Sequence, residues 1–579
     1  MEGRAYSGRR TDGVVGVEGQ RVNMSPDPAR GATQSPRRPR RLWVALGAIP
    51  VLVGLGAAIR NAWVCDDAFI TFRYVDNFAR GFGLVYNAGE RVEGYTHFLW
   101  AILLTAVHRT GIDLVALGRT MPLVFHAATL AVLFKVSLQR DQQARFFWPL
   151  AAVCFALHPD AQIWASGGLE TMAFTFCVTA TVLAASSLVI QPGVVALLAA
   201  LATLFRPEGV LLSAGVAAVL VWRKPGALAL ARFAGVWIAL VAPLCIWRLA
   251  YYHDWLPNTY YAKSAGAANW SHGWHYVVLY FSVYPVELVG FAAAIVVGWL
   301  RRHDKTSAAL PCAVVSVLLL AYVVRVGGDF MFARFLLPVT PLLYVAIDEV
   351  TRRWRPRARV LAIVLVVGAT VLSRFERSRI LDDAARAQGV ADEHAHYPAS
   401  FIARQRDHAE QVAAIFGDLD VRVCTLGAQA CFAYFARFPY VFDRYGLTDR
   451  EFARRPLQTR GRPGHERDIL RRDLIARRVH LFFRGDAKDR TGAIDEAVFG
   501  DLFTSVVFYD RALMDALRGR PGVEFVDYPS YLDSMVRTAD SMSRDERDRA
   551  WAFARGYYFD HNADPERYAR ARAALSRGE

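Results

Sequence analysis

Two adjacent carboxylates, Asp66 and Asp67, follow directly after the first long apolar segment of the chain. A charged pair at the end of a membrane helix is costly to remove from water, so a fold that keeps one there is expected to use it for binding or proton transfer. Arg73 follows within the same short stretch. The sequence therefore predicts a site beside a membrane, with Asp66 or Asp67 as a base.

Further charged residues recur in the polar stretches between later apolar segments. Arginine and lysine bind phosphate oxygens through charge-assisted hydrogen bonds, and a carboxylate can accept the proton of an attacking hydroxyl. Together they suit the transfer of a group from a lipid phosphate, with cations stabilising the departing phosphate. The candidates for binding this phosphate and its attached group are Arg73, Glu93, Glu170, Arg206, Glu208, Lys263, Asp329 and Arg334.

Most of these residues also have a purely structural interpretation, which the sequence leaves open. Carboxylates favour the first turn of a helix, buried ions pair with each other, and long basic side chains extend to lipid headgroups. The alternatives are a helix cap for Asp66 and Asp67, a helix N-terminus for Glu170, a mutual ion pair for Arg206 and Glu208, contact with lipid phosphate for Lys263 and Arg334, and a turn for Asp329.

The elements that must position these residues are apolar runs. Apolar residues make up 54% of the 579-residue chain and are concentrated between about Leu42 and Leu372. Such runs are typical of membrane-spanning helices, although those near 15 residues fall short of the ~20 needed for a straight crossing. We expect about eleven spans, at 42–60, 116–138, 144–158, 169–190, 193–206, 208–222, 231–252, 276–300, 307–326, 335–350 and 358–374.

Composition changes again at both ends of this region. Residues 1–41 are rich in Arg, Gly, Pro and Ser and are predicted to form a disordered basic cytoplasmic tail. Residues 42–374 form the membrane domain, and 375–579 are dense in charge and predicted to form an extracytoplasmic α/β domain. Short β-rich runs such as 421–426 alternate there with helical stretches such as 401–416.

Basic residues set the expected orientation, because cytoplasmic loops collect Lys and Arg near the ends of spans. If the tail is cytoplasmic, the basic loops around Arg140, Arg223, Arg301 and Arg352 all fall on that side. This holds if the apolar piece at 98–104 lies along the membrane surface. The aspartate pair and the C-terminal domain then face outward.

The formal net charge of +15 raises the question of a polyanionic partner such as nucleic acid. The loop arginines account for much of the excess, since they set topology and meet anionic lipid headgroups. We therefore expect the lipid bilayer, and no nucleic acid, as a partner. The chain has no glycine-rich loop followed by Lys-Ser/Thr, which disfavours a nucleotide-linked donor.

The outer loops also resemble a known family. Asp66-Asp67-Ala68-Phe69-Ile70-Thr71-Phe72-Arg73-Tyr74, followed by residues 83–94, is similar to the first outer loop of GT-C fold glycosyltransferases, in particular the terminal β-(1→2) arabinofuranosyltransferases of actinobacterial cell walls. Further similar segments follow in the expected order, at 166–170, 206–208, 256–263, 327–331 with Arg334, 443–449 and 462–466.

The resemblance implies a mainly α, polytopic GT-C membrane helix bundle with juxtamembrane helices and a C-terminal α/β domain. It implies an enzyme of the cytoplasmic membrane that transfers a sugar from a polyprenyl-phosphate donor to an oligosaccharide or polysaccharide acceptor of the cell envelope. The aspartate pair then supplies the catalytic base, and the loop residues bind the donor. His465 is an acceptor-binding candidate, with a structural histidine as the alternative.

Arabinofuranose is the first choice of sugar. Mannose or an aminosugar on the same fold are alternatives, because the loop end Glu93-Gly94-Tyr95-Thr96-His97 is this chain's own version. A flippase of lipid-linked sugars and a non-catalytic glycan-binding protein are the alternatives from other classes. The sequence leaves open the stereochemistry of transfer and the participation of a divalent cation.

Overall fold

The computed structural model describes residues 13, 38–140, 147–264, 266–425, 429–457, 460–461, 464–467 and 469–576. Most of the predicted tail, and Arg462 and Pro463 of one similar segment, lie outside the described residues. The first part of the chain is helical. Its helices are α1 (Arg38–Arg60), α2 (Asp66–Ala79), α3 (Phe98–His108), α4 (Leu114–Arg140), α5 (Leu150–Leu157), α6 (Pro159–Trp164), α7 (Thr171–Ala185), α8 (Pro192–Phe205), α9 (Gly209–Arg223), α10 (Ala227–Tyr252), α11 (Asn258–Ala262), α12 (Trp270–Val283), α13 (Pro285–Leu300), α14 (Ala309–Val326), α15 (Thr340–Thr351) and α16 (Pro356–Leu381).

Several of these helices are long and apolar enough to cross a membrane. Among the described residues they are α1, α4, α10, α14 and α16, while α12 and α13 meet the criterion as a pair that bends by 107°. Helices α3, α7, α8 and α9 are apolar but shorter. The protein is thus a multi-pass membrane protein, and the expected number of eleven crossings stays a prediction.

Two of the shorter helices, α5 and α15, cover only part of the run that predicts each of them, because they begin later than the run does. Among its described residues, the run at 144–158 holds the 8-residue α5, which begins at Leu150, and the run at 335–350 overlaps the 12-residue α15, which begins at Thr340 and extends to Thr351. Proline bounds α5 at Pro149 and, after His158, at Pro159, where the chain turns into α6. Apolar composition continues across these breaks, so composition alone does not show where a helix ends.

The C-terminal part is an α/β domain, as predicted, and α16 runs through the expected boundary at 374 to Leu381. Six strands form a mixed sheet in the order β2-β1-β3-β5-β4-β6, with β1 parallel to β2 and β3 and the remaining pairs antiparallel. The strands are β1 (Arg422–Thr425), β2 (Tyr440–Phe442), β3 (Leu481–Asp486), β4 (Glu496–Phe499), β5 (Leu502–Val506) and β6 (Val523–Phe525). The helices are α17 (Ala384–Ala387), α18 (Glu393–His396), α19 (Ala399–Phe416), α20 (Gln429–Ala436), α21 (Arg450–Ala453), α22 (Arg471–Ala476), α23 (Arg511–Leu517), α24 (Tyr528–Arg537), α25 (Arg544–Ala554) and α26 (Pro565–Leu575).

Helix α2 joins the two parts of the molecule. The ring of Phe69 lies 5.6 Å from that of Tyr434 and 5.5 Å from that of Phe435, both in α20. Aromatic pairs at such separations stabilise an interface beyond the area they bury. The apolar core therefore continues from the helix bundle into the sheet domain through α2.

Candidate active site

One face of α2 lines a cavity. Asp66 and Asp67 lie in the first turn of the helix, where the helix macrodipole favours carboxylates. Residues three and four positions apart share a helix face, so Ile70 and Thr71 follow Asp67 on the same side. All three line the same cavity. The alternative role as a helix cap is not seen, because Cys65 occupies the N-cap position and no side chain caps α2 there; Asp67 lines the cavity instead.

This cavity, which we call cavity A, has a volume of 190 Å³ and lies where four outer segments converge. Its apolar lining includes Leu256, Tyr260, Tyr322, Val326 and Phe335. Six residues predicted from the sequence meet there. They are Asp67 of α2, Arg206 and Glu208 between α8 and α9, Lys263 after α11, and Asp329 and Arg334 after α14.

The two arginines of cavity A are engaged by carboxylates. Arg206 Nη1 lies 2.6 Å from Glu170 Oε1, and Arg206 Nε lies 2.5 Å from Glu208 Oε1. Arg334 lies 3.4 Å from Glu170 Oε1 and 3.5 Å from Asp329 Oδ2. The predicted Arg206–Glu208 pair therefore exists, as part of a larger network. Glu170 is fully buried behind the two arginines and fixes their direction.

Glycines allow two of these segments to approach closely. Gly168 has a φ of +83°, and a Cβ there would lie 2.7 Å from the Cβ of Ala68 in α2. The segment that carries Glu170 can therefore pack directly on α2. Gly328 has a φ of +70°, and a Cβ there would lie 2.6 Å from the side chain of Tyr276. Only glycine adopts such a backbone readily, and it lets the chain leave α14 toward cavity A.

Lys263 differs from the arginines, because among the described residues it has no ion-pair partner. The sheet domain holds the short helix α11 that precedes it. Asn258 Nδ2 donates hydrogen bonds of 3.0 and 2.9 Å to the carbonyls of Gly446 and Leu447, and Arg467 donates to the carbonyl of Ala262. The Lys263 ammonium is thus the cation of cavity A best placed to bind an incoming anion.

A second cavity, cavity B, has a volume of 270 Å³ and lies between α2 and the sheet domain. The ring of His465 packs against Phe330 and Tyr445, with centroids 4.7 and 4.3 Å apart. Carboxylates that accept hydrogen bonds and aromatic rings that pack on C–H groups both suit a carbohydrate. The polar and aromatic lining of cavity B consists of Asp66, Asp67, Tyr86, Lys263, Phe330, Glu393, His396, Tyr397, Asp443, Tyr445, Thr448 and His465.

The two cavities meet. Asp67, Ile70, Lys263 and Leu447 line both of them. A carboxylate and an ammonium group therefore stand where a ligand of cavity A would face a ligand of cavity B. Asp66, in contrast, lines cavity B alone, and one of its oxygens accepts a 2.8 Å hydrogen bond from the backbone N–H of Cys431 in α20.

Cavity B concentrates negative charge away from water. Burial raises the pKa of Asp66 to about 7. The hydrogen bond from the Cys431 N–H acts in the opposite direction, and the negative charge of Asp67 adds to the rise. Burial likewise raises the pKa of Asp443 to about 6, with Asp67 adding to the shift. A carboxyl whose pKa is higher in the folded than in the unfolded protein stabilises the fold at low pH, and this contribution is lost as pH rises through the folded pKa.

Replacing Asp66 by asparagine is therefore expected to change stability in a pH-dependent way. The wild type loses stability between about pH 4 and pH 7 as Asp66 ionises, whereas the asparagine variant has no such ionisation. The melting temperature of the variant minus that of the wild type should therefore increase from about pH 5 to about pH 8. Thermal unfolding in detergent at several pH values measures the difference. A difference that stays constant or decreases with pH would contradict the expected burial of an ionisable Asp66.

Arg73 and Glu93, both predicted to bind the donor, line neither cavity. Arg73 donates hydrogen bonds to the carbonyls of Tyr86, Ala433 and Phe438, at 2.8, 2.9 and 2.7 Å. Both carboxylate oxygens of Glu93 accept hydrogen bonds from Arg248, at 2.6 and 3.1 Å. The donors of Arg73 are directed at α20 and the segment that follows it, so in this structure Arg73 fastens the sheet domain to α2.

We expect Arg73→Leu to destabilise the protein. It would leave three buried carbonyls without their charged donor, at a cost of about 3 kcal/mol or more, and lower the melting temperature. Arg80→Leu, on the exposed end of the same helix, is the matched control and should have little effect. If Arg73 instead bound the donor phosphate, Arg73→Leu would weaken donor binding with no loss of thermal stability.

The residues that line the cavities but had not been selected from the sequence include Thr71, His97 and Glu393. Thr71 lies four positions after Asp67, and this helical spacing was the available signal. His97 is the residue before α3. Glu393 reaches cavity B because the backbone at Ala391 pairs with residues 330–332. In this pairing Ala391 N donates to Phe330 O at 2.7 Å, and Phe332 N donates to Ala391 O at 3.1 Å. No sequence pattern indicates such a contact between segments sixty residues apart.

The fold is that of GT-C membrane proteins. The structure matches a crystal structure of ArnT from Cupriavidus metallidurans bound to undecaprenyl phosphate, with a TM-score of 0.52 at 13% identity, over 81% of this chain and 98% of that one. At this identity the likeness establishes the fold alone. It confirms the predicted helix bundle.

Comparison of the sequence with known proteins finds two similar proteins that carry the same name. No family model matches the chain. It is 29% identical over 417 residues to the terminal β-(1→2)-arabinofuranosyltransferase of Corynebacterium glutamicum, covering 62% of this chain and 58% of that protein. It is 30% identical over 344 residues to the protein of the same name from Mycobacterium tuberculosis, covering 51% and 53%. The resemblance predicted from the outer loops is thus confirmed, and the chain spans little more than half the length of these relatives.

Proposed function

We propose that this protein is an integral membrane glycosyltransferase that moves a sugar, with arabinofuranose as the first choice, from a polyprenyl-phosphate donor to an extracytoplasmic glycan acceptor. The observation that carries the proposal is the meeting of cavities A and B at Asp67 and Lys263. A transferase requires two substrates held in contact, a base for the attacking hydroxyl, and positive charge for the leaving phosphate. The names of the relatives support the choice of sugar.

Cavity A is the donor site in this proposal. Lys263 binds the donor phosphate directly, while the guanidinium groups of Arg206 and Arg334, oriented by Glu170, line the same cavity as further hydrogen-bond donors. The apolar residues Leu256 and Tyr260 adjoin the site and suit the first part of a polyprenyl chain. The undecaprenyl phosphate named for ArnT supports a lipid phosphate as the donor.

Cavity B is the acceptor site, and His465 is one of its contacts. The acceptor oxygen forms a bond to the anomeric carbon of the sugar while the bond from that carbon to the phosphate oxygen breaks. The bonding electrons leave with the polyprenyl phosphate, whose negative charge Lys263 stabilises. Asp67 accepts the hydroxyl proton, because it lines both cavities at their junction, whereas Asp66 lines cavity B alone.

The distribution of basic residues supports the proposed orientation, with the N-terminus in the cytoplasm and the site and sheet domain outside the cytoplasmic membrane. Arg140 and Arg301, from the ends of α4 and α13, both approach Glu349, at 3.9 and 3.7 Å. The guanidinium of Arg223 donates to the carbonyl of Ser307. The predicted cytoplasmic loops thus meet at one end of the bundle, as the positive-inside rule requires.

The test is an assay of the purified full chain with a panel of polyprenyl-phosphate sugars and oligosaccharide acceptors, in which products are identified by mass. Transfer from one donor would support the proposal and identify the sugar. If no donor gives product while labelled lipid-linked sugar crosses proteoliposome membranes, the protein is a flippase. A parallel assay with EDTA tests a divalent cation, and within the described residues no group of three or more His, Cys, Asp or Glu is arranged to hold one.

A further inference from the structure

We infer that Thr71 recognises a hydroxyl group of the donor sugar, and that His97 and Glu170 fix Thr71 as a hydrogen-bond acceptor for it. The inference rests on the proposed function, because it concerns the sugar held in cavity A. It adds a specificity-determining contact to the phosphate and base contacts already described.

Three buried side chains form a line that ends at the cavity. Thr71 Oγ1 lies 2.7 Å from His97 Nε2, and His97 Nδ1 lies 3.2 Å from Glu170 Oε2. Thr71 and His97 both line cavity A, while Glu170 lies behind them. Glu170 Oε2 is buried and has no well-aligned hydrogen-bond donor among the described residues, and His97 Nδ1 faces it at 3.2 Å.

The positions of the protons follow from the charges. The guanidinium groups of Arg206 and Arg334 lie 2.6 and 3.4 Å from Glu170 Oε1 and stabilise the ionised carboxylate, which can only accept hydrogen bonds. His97 Nδ1 must therefore carry a proton toward Glu170. Burial lowers the pKa of His97 to about 4, against the opposing effect of Glu170, so the imidazole is neutral at pH 7. His97 Nε2 is then unprotonated and accepts a hydrogen bond.

This arrangement leaves one role for the Thr71 hydroxyl. Its single proton is donated to His97 Nε2, so only lone pairs of Thr71 Oγ1 are available to a ligand of cavity A. A sugar hydroxyl can donate to these lone pairs. A sugar without a hydroxyl at that position leaves the buried Thr71 oxygen without a hydrogen-bond donor. The site therefore disfavours such a sugar.

The geometry of α2 indicates which part of the sugar reaches Thr71. Asp67 and Thr71 are four residues apart on one helix face, with Cβ atoms about 5–6 Å apart, and Ile70 lies beside them. With the anomeric carbon near Asp67 and Lys263, the ring extends over Ile70 toward Thr71. The hydroxyl recognised is therefore one of the ring substituents remote from the anomeric carbon.

The test compares the natural donor with a series of donors that each lack one hydroxyl. Wild-type protein and Thr71→Val, which removes the hydroxyl at nearly constant volume, are assayed in detergent for kcat/KM with each donor. We expect wild type to disfavour one deoxy donor by about 10- to 100-fold, and Thr71→Val to lose most of that difference while still transferring the deoxy sugar. Thr71→Ser keeps the hydroxyl and should keep the discrimination.

Two further variants separate recognition from folding. His97→Phe releases the Thr71 proton, so it should reduce the same discrimination without affecting that against the other deoxy donors. Thr181→Val is the control, since Thr181 is a buried threonine of α7 whose hydroxyl donates to the carbonyl of Cys177. Equal losses of kcat/KM with every donor in Thr71→Val, or unaltered discrimination, would overturn this inference alone. No transfer by wild type from any polyprenyl-phosphate donor would overturn the proposed function as well.

Discussion

Asp67→Asn is expected to leave a folded protein that binds its donor but transfers sugar about a thousand-fold more slowly. General-base catalysis contributes about 10²- to 10⁴-fold to a rate, and an amide cannot accept the proton of the acceptor hydroxyl. The loss should fall on kcat, because the proposed function assigns binding of the donor phosphate to Lys263 in cavity A. Single-turnover transfer and donor binding, measured on the same preparation, distinguish the two effects.

Asp66→Asn is the matched comparison, since the two aspartates are adjacent and equally acidic in the unfolded chain. Asp66 lines cavity B alone and accepts the Cys431 N–H, so its replacement should slow transfer much less than that of Asp67. If Asp66→Asn caused the larger loss of kcat at intact fold, Asp66 would be the base. If both variants retained the full rate, neither aspartate would act as a catalytic base.

The second large effect is expected for Lys263→Met, which should weaken the binding of the donor. A hydrogen bond to a charged group contributes about 1.5–3 kcal/mol, so loss of this ammonium should weaken donor binding by about 10- to 150-fold. Arg206→Met should weaken binding less directly, because Arg206 is already paired with Glu170 and Glu208. Titration of the purified protein with a non-hydrolysable polyprenyl-phosphate analogue measures both affinities.

Two controls accompany this measurement. Lys263→Arg keeps the charge and should recover part of the affinity, while Lys305→Met, in a loop at the far end of the bundle, should leave it unchanged. An affinity of Lys263→Met equal to that of wild type would show that the phosphate is bound elsewhere. A larger loss in Arg206→Met at unchanged thermal stability would assign that role to Arg206.

Much of the fold could be predicted from the sequence, because long apolar runs identify helices such as α1, α4, α10, α14 and α16 with little dependence on context. The charged loops between them also identified six residues of cavity A. Composition could not supply the bend of 107° between α12 and α13, or the late starts of α5 and α15 within their apolar runs. These depend on packing against other segments.

The contacts of Arg73 also could not be predicted from the local sequence. Its position beside Asp66 and Asp67 made it a phosphate-binding candidate, yet its partners are the carbonyls of Ala433 and Phe438, over 350 residues away in the sequence. A guanidinium suits a phosphate and a group of carbonyls equally well. Residue type and local spacing therefore could not distinguish a phosphate-binding arginine from one that binds carbonyls. The long-range packing of α2 on α20 makes that distinction.

The contact between α2 and α20 also has a consequence for biogenesis. The ribosome inserts α2 early, but Cys431, Ala433 and Tyr434, which complete its surroundings, are synthesised some 360 residues later. Until α20 has emerged, Asp66 lacks its N–H donor and cavity B lacks a wall. A nascent chain that has inserted all its helices up to α16 thus holds Asp66 and Asp67 but lacks one wall of cavity B, so under the proposed function we expect transfer activity only after α20 has been synthesised.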